Sequence, residues 1–223
     1  MDYPIIEVRE QVLADNERCA AETQRSLREQ GVFLVNLMGS PGAGKTSALL
    51  QLLARLRDKF RIGVMEADVD SDVDARTVAQ AGAKVIQLHT GGLCHMDADM
   101  TARGLAELDP GDLNLVFLEN VGNLVCPAEF DVGADLRMMI LSVPEGDDKP
   151  LKYPLMFQVS DVMLVNKIDA AEIFDFDLDA AAARARSLNP DIAIFPVSAK
   201  SGEGFDALTD WLVKRLEERR RGL

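Results

Sequence analysis

An apolar run, "GVFLVNLM" (Gly31 to Met38), leads without a break into "GSPGAGKTS" (Gly39 to Ser47). That junction constrains the fold more than any other feature of the chain. A short, nearly continuous apolar run reads as a strand buried on both faces, as in a parallel sheet. The residues after it meet the phosphate-loop spacing in full: Gly39, four residues, then Gly44-Lys45-Thr46. Gly39, Gly42 and Gly44 let backbone N–H groups turn toward phosphate oxygens with no Cβ in the way. Ser47 lies in the first turn of the helix that follows, and the positive end of that helix adds to the cradle. Lys45 is expected to reach the β- and γ-phosphates, and the Thr46 hydroxyl to ligate Mg²⁺.

The rest of the chain repeats the strand-then-helix pattern. "SALLQLLARLRDKF" is helical, with Leu49, Leu53, Leu56 and Phe60 on one face. "RIGVMEA", "KVIQL", "LNLVFLE", "LRMMILSV", "DVMLVN" and "IAIFPV" read as further strands, and "DARTVAQAG" as a short helix stopped by Gly82. Such alternation predicts a three-layer, doubly wound α/β fold with a mostly parallel sheet, the architecture of the phosphate-loop NTPases. Tyr3 to Gln30 reads as an added polar helix with Val8, Val12 and Cys19 on one stripe. The expected division is therefore an N-terminal helical extension over 1–31 and a nucleotide-binding domain over 32–223. In sheets of this kind ligands bind beyond the carboxyl ends of the strands, so the chemistry belongs just after each apolar run.

"NKID" (Asn166 to Asp169) follows one such run. A carboxylate there accepts two hydrogen bonds from the N1–H and N2–H₂ edge of guanine, a pair that adenine does not offer. Asp169 is thus assigned to the base, and Asn166 and Lys167 to bracing base and phosphate loop. "SAK" (Ser198, Ala199, Lys200) follows the last strand, where a second base-contacting loop belongs. These spacings favour GTP over ATP. Acids end the middle strands: "EADVDSDVD" supplies Asp68, Asp70, Asp72 and Asp74, and "FLENVGN" supplies Glu119 three residues before Gly122. A carboxylate there can hold Mg²⁺ directly or through water, or orient attacking water. Glu119, Asp68 and Asp74 are the residues assigned to Mg²⁺ and catalysis with Lys45 and Thr46; a solvated acidic loop accounts for the other two.

The chain has three cysteines and two histidines, and two of these are neighbours, Cys94 and His95 in "TGGLCHMDAD". Cys126 follows Glu119 in "NVGNLVCPAEFD". Two readings stand. Cys94, His95 and Cys126 could form a three-ligand set suited to Zn²⁺ or Ni²⁺, with water, Asp97 or a second subunit as the fourth ligand. Alternatively, the thiols are inert core residues. The Gly91-Gly92 lead places Cys94 at the start of a helix, where a thiolate is favoured. Cys19 reads as structural, and His89, at a strand end, as structural or as a support to a ligand-bearing residue. A net charge of −13 argues against broad nucleic-acid binding. No apolar run is long enough to span a bilayer and the first residues do not read as a secretory leader, so a cytoplasmic, reducing setting is expected.

Taken together, "NLMGSPGAGKTS", "TGGLCHMDADM", "ENVGNLVCPAEFD", "SVPEGDDKPLKYPLMF", "VNKID" and "PVSAKSGEG" resemble the HypB family, GTPases that assist nickel insertion into nickel–iron hydrogenase. The resemblance covers Val32 to the end. It implies a SIMIBI-class GTPase, slow in turnover, that dimerises with GTP. It also implies a zinc or nickel site made by Cys94, His95 and Cys126 of two subunits, with the maturation protein HypA and the hydrogenase large-subunit precursor as partners. Urease-maturation GTPases share the nucleotide motifs, but their metal motif is expected to be Cys-Pro-His. Two departures stand out. The usual switch reads Asp-x-x-Gly, where this chain has Glu119-x-x-Gly122. Some relatives also carry an N-terminal nickel-binding stretch, whereas the first 30 residues here hold one Cys and no His. Lys149 and Lys152, in "PEGDDKPLKYP", either lie near the nucleotide or the dimer interface or are solvated.

Overall fold

The computed structural model describes residues 8–68 and 73–222. Seven strands form one sheet: β1 (Phe33–Gly39), β2 (Ile62–Asp68), β3 (Lys84–His89), β4 (Leu115–Glu119), β5 (Leu136–Ser142), β6 (Val162–Asn166) and β7 (Ala193–Pro196). Their spatial order is β3-β2-β4-β1-β5-β6-β7, and every pairing is parallel. β1, β4 and β6 are buried along their whole length, which is why they read as unbroken apolar runs. The edge strands β3 and β7 are only half-buried. The chain leaves β1 toward β2 and β3, returns through β4, which lies between β2 and β1, then crosses to β5 on the other side of β1. The carboxyl ends of β1 and β4 therefore meet where the connections diverge, the favoured place for a ligand in such a sheet.

The helices are α1 (Val8–Gln30), α2 (Lys45–Leu56), α3 (Val73–Gln80), α4 (Ala98–Leu108), α5 (Cys126–Glu129), α6 (Lys149–Lys152), α7 (Pro154–Val159), α8 (Leu178–Leu188) and α9 (Phe205–Arg220). On one face of the sheet, Leu49, Leu53 and Leu56 of α2 and Phe205, Leu208 and Leu212 of α9 pack on Val35, Leu37, Phe117 and Ile140. On the other, Leu27 of α1 and Leu105 and Leu108 of α4 cover Leu34, Met65, Val116 and Leu118. Met156 and Phe157 of α7 and Ala185 of α8 cover Met139, Leu141 and Met163. Successive strand residues alternate between these layers.

The stripe expected on α1 is corrected. Val12 is 49% exposed and Cys19 half-buried, while Ala20, Thr23 and Leu27 are buried; the side chain of Val8 and residues Tyr3 to Glu7 fall outside the described residues. Polar side chains serve the same buried face. Asn16 donates to the Asp131 carbonyl (2.9 Å) and accepts from the Ala98 N–H (2.9 Å), and Gln24 donates to the Ala134 carbonyl (3.1 Å). The buried face therefore follows distant backbone groups that need partners, not apolar periodicity alone. Among the described residues, no helix is long and apolar enough to cross a membrane.

Candidate functional site

The turn from β1 to α2 forms the centre of the site. Gly44 is the N-cap of α2 at φ 95°, a conformation that favours glycine, and no side chain caps the helix. A Cβ on Gly44 would also meet the Asn166 Nδ2 at 2.5 Å. The first N–H groups of α2 are thus left facing open space, as an anion site requires. Beside them is a cavity of about 610 Å³ lined by Gly42, Gly44, Lys45, Thr46, Ser47, Glu66, Asp68, Asp74, Gln87, Glu119, Gly122 and Lys167. Gly39 lies beneath the loop, where an added Cβ would meet the Ile140 carbonyl at 2.7 Å. Asp70 and Asp72 lie outside the described residues.

Buried acids set the electrostatics of the cavity. The Thr46 hydroxyl donates to the Glu119 Oε1 (2.9 Å), and Lys45, only 8% exposed, donates to the Ser40 carbonyl (3.3 Å). Glu119 is buried, and that burial pushes its carboxyl up to about 7 against the opposing pull of Lys45 and Thr46. Directly beside it in the β2–β4 register stands Glu66, raised to about 10 by burial and then by the Glu119 charge. Both carboxyls are thereby pushed toward the neutral form, Glu66 the more strongly. Glu66 Oε1 and Glu119 Oε2 have no protein partner. Two orphaned carboxyl oxygens beside a threonine hydroxyl fit a hard divalent cation and its water. Glu66 was not among the residues singled out from the sequence. Its signal was there: a lone acid inside the apolar run "RIGVMEA".

The base-side residues interlock with the loop. Asn166 donates to the Ala43 carbonyl (2.9 Å) and accepts from the Ala199 N–H (3.0 Å). Lys167, at φ 65°, donates to the Gly42 carbonyl (2.7 Å). The Ser198 hydroxyl donates to the Asp169 Oδ1 (2.6 Å) and holds that exposed carboxyl below its ordinary range. Lys200 is exposed in the same turn.

A second group of donors lies past the carboxyl ends of β3 and β4. Cys94, His95 and Cys126 bring one ligand atom each within 4.8 Å of the others, the single such group found among the described residues. The two Sγ atoms are 3.1 Å apart, and the Cys94 Sγ lies 3.8 Å from the His95 Nδ1. The His95 ring stacks on Phe130 with centroids 4.1 Å apart, and burial lowers its pKa, favouring the neutral, ligating imidazole. The bond to Cys94 and burial raise the Cys126 thiol. Two thiols and an imidazole at this spacing fit Zn²⁺ or Ni²⁺.

Two expectations about this segment are corrected. Cys94 does not open a helix: Gly91 (φ 62°) and Gly92 (φ 100°) make a turn, and α4 begins at Ala98. Its cap is Asp97, whose Oδ1 accepts from the Met100 N–H (2.8 Å). Asp97 is thereby committed to the helix and is not in the donor group. Cys126, instead, is the first residue of a helix, α5. Of the remaining candidates, Lys152 pairs with Asp148 (2.6 Å) and Lys149 sits over the Tyr153 ring, neither lining the cavity. His89 is exposed, and Cys19 borders a groove between α1 and α4.

Residues 33–196 match the CobW/HypB/UreG nucleotide-binding domain family. The hydrogenase maturation factor HypB of Rhizobium leguminosarum bv. viciae is 44% identical over 93% of this chain and 70% of its own length. The chain belongs to the HypB family. Two HypB crystal structures share its fold. That of the Archaeoglobus fulgidus factor has a TM-score of 0.85 at 38% identity, covering 91% of this chain and 99% of the other. That of the Helicobacter pylori protein, in complex with nickel, has a TM-score of 0.86 at 35% identity, covering 93% and 96%. The HypB-type chain described here thus pairs a nucleotide-binding fold with a Cys/His donor group.

Proposed function

We propose that this chain is a slow GTPase and metallochaperone that assists nickel insertion during nickel–iron hydrogenase maturation. The observation that carries this reading is one short segment. It begins at Glu119 in the cavity wall and ends at Cys126 in the donor group. A change at the γ-phosphate is therefore felt within seven residues of a metal ligand. Lys45 and the α2 N-terminus bind phosphate, Asp169 reads guanine, and Asn166, Lys167 and the Ser198–Ala199–Lys200 turn hold these parts in register. Thr46 and Glu119 would hold Mg²⁺, with Asp68 and Asp74 on its water. When bound, that ion would supply positive charge to offset the charge that develops on the transferred phosphate. Zinc or nickel is cargo at Cys94, His95 and Cys126.

A GTP-dependent homodimer completes the cycle. Leu93 (46% exposed) and Val125 (48%) flank the thiols, and exposed apolar residues beside an incomplete ligand set favour closure by a second copy. Within this reading HypA and the hydrogenase large-subunit precursor are the exchange partners, and the setting is the cytoplasm. The segment 1–31, which holds α1, is proposed as an extension of the GTPase domain over 32–223. The test is a paired assay on the full chain: hydrolysis of GTP against ATP, and Zn²⁺ and Ni²⁺ titration of wild type against Cys94→Ala/Cys126→Ala. Preference for GTP and loss of stoichiometric metal in the double variant are expected. Equal ATP turnover, or metal binding that survives the mutations, would overturn it.

A further inference from the structure

Asn120 directly follows Glu119, is 1% exposed, and has its backbone N–H, its Nδ2 and its Oδ1 all hydrogen-bonded. Its backbone N–H donates to the Leu37 carbonyl (2.9 Å) and its Nδ2 to the Asn36 Oδ1 (3.1 Å), both on the strand that runs into the phosphate loop. Its Oδ1 accepts from the Val121 N–H (2.9 Å) and, 24 residues away, from the Met96 N–H (3.1 Å), next to His95. Three residues on, Asn123 repeats the arrangement nearer the surface. Its N–H donates to the Gly39 carbonyl (3.0 Å), the first residue of the phosphate loop, and its Nδ2 donates to the Cys94 carbonyl (3.3 Å). Between them Gly122 lies so close to the loop that a Cβ would meet Pro41 at 2.9 Å.

We infer that Asn120 and Asn123 are the positioning residues that couple the nucleotide cavity to the Cys94–His95–Cys126 group, each joining the phosphate-loop strand to the backbone beside a metal ligand. The inference rests on the reading above that nucleotide state controls the metal site. A buried N–H is costly to leave unpaired, so the Met96 backbone follows Asn120 when the segment after β4 moves. The bonds at Cys94 and Met96 bracket His95. A small displacement of the two asparagines therefore changes how two of the three donors face each other without breaking any ligand.

The test measures Zn²⁺ affinity of the full chain by competition with a chromophoric chelator, with Mg²⁺ and either GDP or a non-hydrolysable GTP analogue. In wild type the two affinities are expected to differ about tenfold, within the usual range of coupling between sites. In Asn120→Ala and Asn123→Ala the ratio is expected to collapse to about twofold or less. Asn16→Ala is the control, since Asn16 also anchors the segment after the metal loop, at Ala98, while its other bond goes to the Asp131 carbonyl and not to the phosphate-loop strand; it should keep the ratio. Asn123 is half-buried, so its variant carries the test if Asn120→Ala fails to fold. A ratio that survives in both variants overturns the inference and leaves the proposed function standing. A ratio lost equally in Asn16→Ala overturns it as general loosening. Equal affinities in wild type overturn both.

Discussion

The two donor groups of this chain are built in opposite ways. The phosphate cavity is interlocked within one polypeptide: Lys45 and Glu119 are more than nine-tenths buried, and Asn166 and Lys167 fasten the loop from a distant strand. The thiol group is shallow. Cys94 is exposed, Cys126 half-exposed, three ligand atoms are offered where a tetrahedral site takes four, and Leu93 and Val125 stand uncovered beside them. The contrast teaches which site can act alone. On the proposed reading, phosphate binding needs only this chain, whereas the metal site needs something more, and the Asn120–Asn123 segment is proposed to tie the incomplete site to the complete one.

The largest effect that would break this comparison belongs to Lys45→Ala. GTP turnover should fall by about a hundredfold or more, because a buried cation aimed at the transferred phosphate is lost. Zn²⁺ titration of the same variant with GDP present should still reach wild-type stoichiometry; loss of metal there would mean that the two sites are not separable. Asp169→Asn should weaken GTP by about one to two orders of magnitude through unpaired base donors, measured by equilibrium titration. Unchanged affinity would remove Asp169 from the base site. Asp97→Ala should leave Zn²⁺ affinity within about threefold while costing about 1 kcal/mol of stability, since Asp97 caps α4 and lies outside the Cys94–His95–Cys126 group. A larger loss of metal would restore it as a fourth ligand.

A different kind of effect, on pH dependence, concerns Glu66. A carboxyl raised in the folded state binds its proton more tightly there than in the unfolded chain. Its stabilisation is therefore complete below about pH 4.5 and is lost as pH rises toward about 10. Glu119 adds a loss of the same sign, finished near pH 7. The nucleotide-free protein should melt at lower temperature as pH rises through that window, and Glu66→Gln should flatten the part above pH 7. Parallel melting curves for the two proteins would contradict the buried, protonated assignment.

Much of this was legible in the sequence because the phosphate and base motifs are contiguous, and a contiguous motif keeps its geometry wherever the strand ends. A mostly parallel sheet followed from unbroken apolar runs, and in the structure every pairing is parallel. What escaped depends on pairs far apart in the chain. Glu66 becomes a neighbour of Glu119 only through strand register, and Asn120 reaches Met96 across 24 residues. The start of α4 is not legible in a Gly-Gly pair, because its positive φ angles make a turn that delays the helix to the Asp97 cap. The stripe on α1 is not legible either, because Asn16 and Gln24 face inward for backbone partners that periodicity does not reveal.

The central claim, that the metal site is completed by a second chain under nucleotide control, is tested most directly by light scattering on the 24.4 kDa chain with stoichiometric Zn²⁺. The account predicts the mass of one chain with Mg²⁺ and GDP, and of two chains with Mg²⁺ and a non-hydrolysable GTP analogue. One chain in both states would contradict it.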